Sequence, residues 1–305
     1  VIVLARELNL GQVKEIKAVI DRDHICGPSG RLVEIEMFAH GALCMAISGK
    51  CYLSLHEYGA SANRGSCYQL CRRAYQVRDK ETGMELEIDN QYIMSPKDLC
   101  TIEFMDKIID AGVTVFKIEG RARSAEYVKR VASCYRRAAD AVCEGTYTPE
   151  LGAELKTRLE EVFNRGFWDG YYQGAKLGEW CEVYGSKSGL KKVYCGKITN
   201  WFGKLSVAEI LVESYSLKVG DKILIIGPTS GVVEYTIPEI RVDLKPVEEA
   251  HKGTYCSVYI DWSKVVPGAR EEEQGLCGDG CSEEVCRAIE ESRLRRSDKV
   301  YIWKK

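Results

Sequence analysis

Four cysteines between residues 44 and 71 are the side chains of this chain best suited to chemistry: Cys44, Cys51, Cys67 and Cys71. Free cysteine usually packs as a small buried hydrophobe. These four instead lie among glycines and polar residues that follow neither a helical nor a strand period. Core packing alone does not explain them, so three interpretations stay open: metal ligation, incidental structural thiols, and redox or nucleophilic thiols.

The spacing of the cysteines supports metal binding without naming the metal. Six, fifteen and three residues separate successive members of the set, which matches neither a zinc ribbon nor a ferredoxin run. Iron–sulfur clusters are held by four thiolates, and glycine-rich loops let backbone amides approach the cluster sulfurs. On spacing alone, zinc and an iron–sulfur cluster both remain candidates.

Two predicted strands place further reactive side chains near the cysteines. Residues 32–38 alternate as a strand, with Glu36 on it and His40 just beyond it. A later apolar strand contains Lys117 and runs into Glu119. In barrels of parallel strands and helices the chemistry lies on the loops after the strands, so we expect these side chains at the active face.

Several motifs of the chain resemble one protein family. The string from Glu36 to Ser54 fits, without a mismatch, the signature of the collagenase-like peptidases of unassigned mechanism. Further fitting segments are Asn63–Cys67, Met94–Leu99, Phe116–Arg121 and the region around Val219–Asp221. The chain most resembles the branch of prephenate-dependent tRNA uridine hydroxylases, whose relatives look like oxygen-independent hydroxylases and include one acting on ribosomal RNA cytidine.

The resemblance implies a cofactor. Carried over position by position, it implies a four-iron, four-sulfur (4Fe-4S) cluster with four ligands: Cys44, Cys51, Cys67 and Cys71. The fourth ligand is open to an alternative, because relatives take it from different places and Cys100 lies close by in sequence.

The resemblance also implies prephenate as co-substrate and oxygen donor. Prephenate is a dicarboxylate, and carboxylates are held best by fixed, bidentate cations. Arg64 and Arg121 lie inside matching motifs and are the expected substrate-binding residues, with a surface salt bridge as the alternative. For Arg72, Arg73 and Arg123 a surface role explains the sequence equally well.

The expected catalytic residues are His40, Glu36, Lys117 and Glu119. A histidine beside the cluster can move protons near neutral pH, although a structural hydrogen bond explains His40 equally well. Glu36 and Glu119 would orient His40 or a cation, or close an ion pair inside the barrel. Lys117 and Arg121 would point toward one pocket, because alternate residues of a strand share a face.

The element pattern predicts an α/β chain of two domains. Residues 1–185 alternate strands and helices as the C-terminal part of a TIM-like (β/α) barrel carrying the cysteine site, and the apolar opening Val1–Ala5 suggests that the chain has lost its beginning. Residues 186–305 show short strands with glycine turns, typical of a small antiparallel β-barrel. A charged insertion at about 265–296 carries three thiols, one short of a closed metal site: Cys277, Cys281 and Cys286.

Composition narrows the class of protein. The 305 residues are 45% hydrophobic and 29% charged, and no apolar run approaches the roughly 20 residues that span a bilayer, so no membrane partner is expected. The 14 cysteines would suggest disulfides only in a small secreted domain, so a reducing cytoplasm is expected.

The charge of the chain is nearly balanced, at 43 basic and 45 acidic residues, so binding of tRNA requires a local basic patch. The candidates lie at the predicted small barrel and the chain end: Lys187, Lys191, Lys192, Lys197, Arg293, Arg295, Arg296, Lys299, Lys304 and Lys305. A solvated charged surface is the alternative explanation for such a run of charges.

Three functions remain open. The first is an iron–sulfur-dependent, oxygen-independent hydroxylase that forms 5-hydroxyuridine at the tRNA wobble position. The second is a collagenase-like peptidase. Because the chain has no His-Glu-x-x-His or Gly-x-Ser-x-Gly motif, a peptidase would need His40 paired with Cys44 or Cys51. The third is an RNA-binding scaffold with a structural cluster.

Overall fold

The computed structural model describes residues 1–85, 94–182, 185–261, 265 and 294–304. The chain divides into two compact units, Val1–Gly189 and Leu190–Lys305. The first unit combines helices with a small sheet, whereas the second consists mainly of β-strands. The chain is therefore a mixed α/β protein, as its sequence predicts.

The sheet of the first unit is centred on one strand, β2. Its strands are β1 (Ile2–Val3), β2 (Ile35–Ala42), β3 (Asp98–Cys100), β4 (Val113–Ile118) and β5 (Phe167–Trp168). β1 and β4 pair with β2 in parallel, β3 pairs with β2 antiparallel, and β5 runs parallel to β3. Ile35, Met37 and Ala39 of β2 are buried in the core. Burial on alternate residues fixes the register of β2 and thus the point where the cysteine-bearing segment begins.

The helices of the first unit are α1 (Leu10–Arg22), α2 (Leu53–Tyr58), α3 (Met105–Asp110), α4 (Ala125–Cys143) and α5 (Pro149–Glu160). α1 begins with a capping box in which Asn9 and Gln12 each accept a hydrogen bond from the other's backbone N–H. α4 buries one side, which includes Tyr127 and Tyr135. No helix within the described ranges is long and apolar enough to cross a membrane.

The second unit is dominated by one antiparallel sheet. Its described strands are β6 (Lys191–Phe202), β7 (Val207–Val212), β8 (Leu217–Lys218), β9 (Lys222–Gly227), β10 (Gly231–Thr236), β11 (Ile240–Val242), β12 (Lys245–Val247), β13 (Glu249–Ala250), β14 (Tyr255–Tyr259) and β15 (Lys299–Lys304). The sheet order is β10-β9-β15-β6-β7-β14-β11-β12, and β8 pairs with β13. Aliphatic residues such as Ile198, Ile210 and Ile223 form the core of this unit.

Two parts of the predicted architecture differ from the structure. The TIM-like barrel is not confirmed, because the first sheet is open within the described residues and contains the antiparallel pair β2–β3, whereas a (β/α) barrel has parallel neighbours. The small barrel is not closed, because β10 and β12 end the sheet without pairing with each other among the described strands. Alternation and glycine turns reveal strands, but closure depends on strand tilt and stagger, which those signals do not encode.

The predicted insertion lies mostly outside the described residues. Of residues 265–296, the structure describes 265 and 294–296. Its three thiols, Cys277, Cys281 and Cys286, therefore lie outside the described residues.

Candidate functional site

The predicted metal ligands lie on loops that begin where β2 ends. These cysteine loops (residues 43–75) contain α2 and two short 3-10 helices, Ala62–Arg64 and Leu70–Arg72. Gly59 caps the C-terminal end of α2 with a φ of 61°, a left-handed conformation that glycine adopts without strain. The four predicted ligands are all half-buried and form no disulfide: Cys44, Cys51, Cys67 and Cys71.

The Cys71 thiol is influenced electrostatically by the other three predicted ligands. Burial raises the pKa of the Cys71 thiol, and the positive charge of Arg72 opposes that shift. The other three thiols, Cys44, Cys67 and Cys51, raise the pKa of Cys71 further. Because Coulomb interactions weaken with separation, the other three thiols lie near Cys71. The four thiols do not form a preorganised metal site. Among the described residues, no three His, Cys, Asp or Glu side chains are arranged to hold a metal ion.

The chemistry of this donor set fits an iron–sulfur cluster. Such clusters take four thiolates, and the set offers four half-buried thiols without disulfides. Cys100, the alternative fourth ligand, lies in β3 with its sulfur 3.8 Å from the Tyr135 hydroxyl. Burial raises the pKa of Cys100 to about 12, which disfavours its thiolate. Of the two candidate donors, Cys71 is half-buried and Cys100 is buried.

Arg72 fastens the cysteine loops to the rest of the first unit. Its Nη1 donates hydrogen bonds of 2.8 Å to the Ser95 hydroxyl and to the Pro96 carbonyl, and its Nη2 donates one of 2.7 Å to the Leu43 carbonyl. Arg72 directly follows one predicted ligand, Cys71, and Leu43 directly precedes another. One side chain thus ties the two ends of the cysteine set together, so Arg72 is a half-buried structural link.

His40 is buried among aromatic rings. Its side chain is 1% exposed, and its ring centroid lies 5.9 Å from that of Tyr127, 5.5 Å from Tyr135 and 5.4 Å from Phe167. Burial, and after it the positive charge of Arg123, lowers the pKa of His40 to about 3. The imidazole is therefore neutral at physiological pH.

A β-bulge explains why His40 faces the core. The pairing of β2 with β4 shifts its register between Phe38 and His40, and a bulge breaks the alternation of side chains. Glu36 and Phe38 are half-buried, whereas Ala39 and His40 are both buried. Strict alternation would place Glu36 and His40 on the same face, so the bulge separates two residues that the sequence groups together.

Glu36 and Lys117 form an ion pair on the half-buried face of β2. Lys117 Nζ lies 2.6 Å from Glu36 Oε1, with 42% of the lysine side chain and 17% of the glutamate side chain exposed. Lys117 and Arg6 also lie over the Phe38 ring, with cation-to-centroid distances of 5.4 Å and 4.9 Å. The structure thus brings two predicted catalytic residues together, but away from the buried His40.

Glu119 shapes the turn after β4. Its N–H donates to the His40 carbonyl at 2.8 Å, and its carboxylate accepts from the backbone N–H of Arg121 at 2.8 Å. A Cβ at position 41 would lie 2.5 Å from the Glu119 carbonyl oxygen, and Gly41 has a φ of 110°. Only glycine fits at this contact, so the contact locks the turn onto the end of β2.

The predicted substrate-binding arginines are not the ones that the structure groups. Arg64 and Arg121 are exposed, and their guanidinium groups form no ion pair within the described part of the chain. Arg123 and Arg165 instead lie around the buried carboxylate of Asp98. One sequence signal points to this group, since Asp98 lies inside a family motif and a buried acid requires a cationic partner.

The predicted basic patch is partly engaged within the second unit. Lys197 pairs with Glu213 at 2.7 Å. Lys192 Nζ lies 4.7 Å from the ring centroid of Tyr301. Lysines that contact exposed or half-buried tyrosines resemble the surfaces on which single-stranded nucleic acids stack.

The comparisons with known proteins place the chain in a family. The model of Peptidase family U32 matches residues 1–182. The chain belongs to this family, so the family prediction made from the cysteine-containing motifs is confirmed.

Relatives in the family carry two kinds of name. A protein named collagenase from Porphyromonas gingivalis is 58% identical over 260 residues, covering 85% of this chain and 63% of the relative. The tRNA hydroxylation protein P1 of Bacillus subtilis is 32% identical over 246 residues, covering 78% of this chain and 55% of the relative. The 23S rRNA 5-hydroxycytidine C2501 synthase of Escherichia coli is 35% identical over 242 residues, covering 77% and 35% respectively. The chain spans less than two thirds of the length of these relatives.

Proposed function

We propose that this chain carries the cofactor site of an RNA hydroxylase that works without molecular oxygen, using a 4Fe-4S cluster and prephenate as oxygen donor. The proposed substrate is a wobble uridine of tRNA, which becomes 5-hydroxyuridine. The observation that carries the proposal is the grouping of half-buried thiols around Cys71. The relatives named for hydroxylation of tRNA and for 5-hydroxycytidine synthesis in 23S rRNA support the reaction class.

In this proposal each residue of the site has a separate role. The cluster ligands are Cys44, Cys51, Cys67 and Cys71, and the bound cluster supplies one-electron chemistry. Arg72 holds the two ends of the ligand set together. Gly41 and Glu119 fix the turn beside the end of β2. His40 acts as a neutral positioning residue, because its pKa of about 3 leaves almost no imidazolium, the form that acts as a general acid, near pH 7.

The proposed RNA partner fits the second unit better than the first. The sheet there carries lysines beside tyrosines, as at Lys192 and Tyr301, a combination that binds phosphate and stacks bases. A cytoplasmic location accords with this function, because thiols stay reduced in that compartment.

Nucleoside analysis tests the proposed function. We expect tRNA from cells lacking the gene to lose 5-hydroxyuridine, and we expect the wild-type gene, but not Cys67→Ser, to restore it. Cys143→Ser changes an exposed thiol outside the cysteine loops and should restore the nucleoside fully. Unchanged 5-hydroxyuridine in the deletion strain would contradict the proposed substrate.

A collagenase-like peptidase is the second candidate, favoured by the 58% identity to a protein named collagenase. A cysteine peptidase needs a base beside its nucleophile, and His40 is the candidate base. Its burial and its pKa of about 3 make it a poor one. Release of peptides from denatured collagen that disappears in both Cys44→Ser and Cys51→Ser, with normal tRNA nucleosides in the deletion strain, would favour the peptidase.

A further inference from the structure

Two half-buried arginines share one buried carboxylate in the first unit. Asp98, the first residue of β3, is 1% exposed. Arg165 Nη1 lies 3.4 Å from Asp98 Oδ1, and Arg123 Nη2 lies 3.6 Å from Asp98 Oδ2. Charge-assisted N–H···O bonds are about 2.7–2.9 Å long. Each guanidinium carries five N–H donors. Asp98 takes one contact from each of them, and the backbone N–H of Arg165 donates to Asp98 Oδ2 at 3.2 Å. Donors therefore remain on both guanidinium groups, in addition to the hydrogen bond between Arg123 and Tyr127.

Aromatic packing fixes the orientation of these guanidinium groups. Arg123 Cζ lies 3.9 Å from the ring centroid of Phe163, and Arg165 Cζ lies 5.2 Å from the same centroid. The Tyr127 ring is 5.5 Å from Arg123 Cζ. Guanidinium planes stack on aromatic faces, so the donors of Arg123 and Arg165 are held in place before any ligand arrives.

Positive charge exceeds negative charge in this group. Arg72 is a third member, because its Nη1 donates to the Ser95 hydroxyl and the Pro96 carbonyl, on the segment that leads into Asp98. Among these four side chains, three positive charges face one negative charge. An uncompensated charge away from water is costly, and an anion that enters would relieve that cost. His40 adds no positive charge, since it is neutral.

We propose that Arg123 and Arg165, together with the charge of Arg72, bind a carboxylate group of a small dicarboxylate. The geometry of the arginines carries the anion site itself, while the identity of the ligand as the oxygen-donating co-substrate rests on the proposed function. A planar guanidinium matches a carboxylate at two points, which suits this ligand. These residues thereby take the substrate-binding role that the sequence assigns to Arg64 and Arg121.

Isothermal titration calorimetry on the purified protein tests the site with three probes: prephenate, malonate and inorganic phosphate. We expect prephenate and malonate to bind, and Arg165→Lys to weaken both about tenfold or more, because an ammonium group does not reproduce the planar two-point contact. Arg136→Lys is the matched control, since Arg136 is 68% exposed on α4 and pairs with Asp140. It should bind both dicarboxylates as the wild type does.

Asp98→Asn distinguishes an anion site from a purely structural ion pair. Removal of the internal carboxylate frees the arginines for an external anion, so we expect malonate to bind about tenfold more tightly to this variant. Circular dichroism verifies that each variant is folded. If Arg165→Lys does not fold, the comparison of Asp98→Asn with the wild type decides, and unchanged or weaker malonate binding would overturn the proposal.

Three further results of the calorimetry would overturn the proposed anion site or its assignment to a carboxylate. Absence of prephenate and malonate binding to the wild type would overturn the site, as would weakening by Arg121→Lys without weakening by Arg165→Lys. Tighter binding of phosphate than of either dicarboxylate would overturn the assignment to a carboxylate. Failure of the proposed function gives a different result, in which dicarboxylates still bind through Arg165 but tRNA from the deletion strain keeps its 5-hydroxyuridine.

Discussion

The cysteine loops and the sheet of the second unit are held together by different forces. The sheet buries a continuous set of aliphatic side chains, among them Ile198, Ile210 and Ile223, with at most 1% exposure. In the cysteine loops the buried apolar residues are Leu43 and Leu70. The sheet therefore gains most of its stability from apolar burial, and the loops must gain theirs elsewhere.

Polar contacts take the place of a core in the cysteine loops. The Glu7 carboxylate accepts hydrogen bonds from the N–H and the hydroxyl of Ser48 at 2.9 Å and 3.2 Å. The N–H of Tyr68 donates to the Ser54 hydroxyl at 3.0 Å. A typical hydrogen bond contributes a net stability of only about 0.5–1.5 kcal/mol. The cysteine loops therefore depend on their polar links for stability, whereas the sheet depends on apolar burial.

The largest effect should come from a thiol of the loops. We expect Cys67→Ser to reduce bound iron, after anaerobic reconstitution, from a full cluster to near zero, because a cluster needs four thiolates. The measurement is iron content together with visible absorbance. Cys143→Ser should keep full iron, and the thermal unfolding of the second unit should stay unchanged in both variants. Full iron in Cys67→Ser would remove that residue from the ligand set.

The next effect should come from the polar link at Arg72. Replacement by methionine removes three hydrogen bonds from a charged donor, and we expect the free energy of unfolding of the first unit to fall by about 3 kcal/mol or more. Urea denaturation measures the change. Arg73→Met is the control, because Arg73 is exposed and its guanidinium hydrogen-bonds only the Tyr58 hydroxyl among the described residues. Equal losses in the two variants would contradict the role of Arg72 as a link.

A smaller loss should follow from Gly41→Ala. The new methyl group would meet the Glu119 carbonyl oxygen at 2.5 Å, at a φ of 110°, and we expect a loss of about 2–3 kcal/mol in unfolding free energy. Gly30→Ala is the matched control, since Gly30 has a φ of 75° and open space around it, and it should cost only about 1 kcal/mol. A difference near zero between the two would mean that the turn after β4 can shift away.

Acid should weaken the first unit through His40. Its pKa is about 3 in the folded protein and 6.5 ordinarily, so between these values the unfolded chain binds a proton that the folded protein does not. Stability is complete above pH 6.5 and falls as the pH drops toward 3, by about 1.4 kcal/mol per pH unit. Urea denaturation at pH 7.5 and pH 5.5 measures this loss. His40→Gln should reduce the loss, and His56→Gln, at an exposed position, should retain it.

The smallest effect on stability should come from Lys117→Met. The Glu36–Lys117 pair is partly exposed, and such pairs contribute up to about 1 kcal/mol. A catalytic role for Lys117 predicts that hydroxylation is lost while the free energy of unfolding changes by less than this amount. Normal 5-hydroxyuridine in cells that carry this variant would reduce Lys117 to a structural partner of Glu36.

For the first unit, the sequence predicts the positions of strands better than the direction in which their side chains point. Residues 32–38 alternate as expected of a strand, and β2 occupies Ile35–Ala42. The pattern does not reveal the bulge before His40, because a bulge depends on pairing with β4 rather than on local alternation. The sequence also does not predict that Arg123 and Arg165 lie around Asp98, because these residues are far apart in the chain.

The short link through Arg72 also bears on conformational entropy. Ordering the backbone of one residue costs about 1–2 kcal/mol. Cys44 follows Leu43, which is buried and whose carbonyl is bound by Arg72, and Cys71 precedes Arg72 in the chain. Folding of the first unit thus already orders the two outer thiols, so a ligand that gathers the set meets a smaller entropic cost.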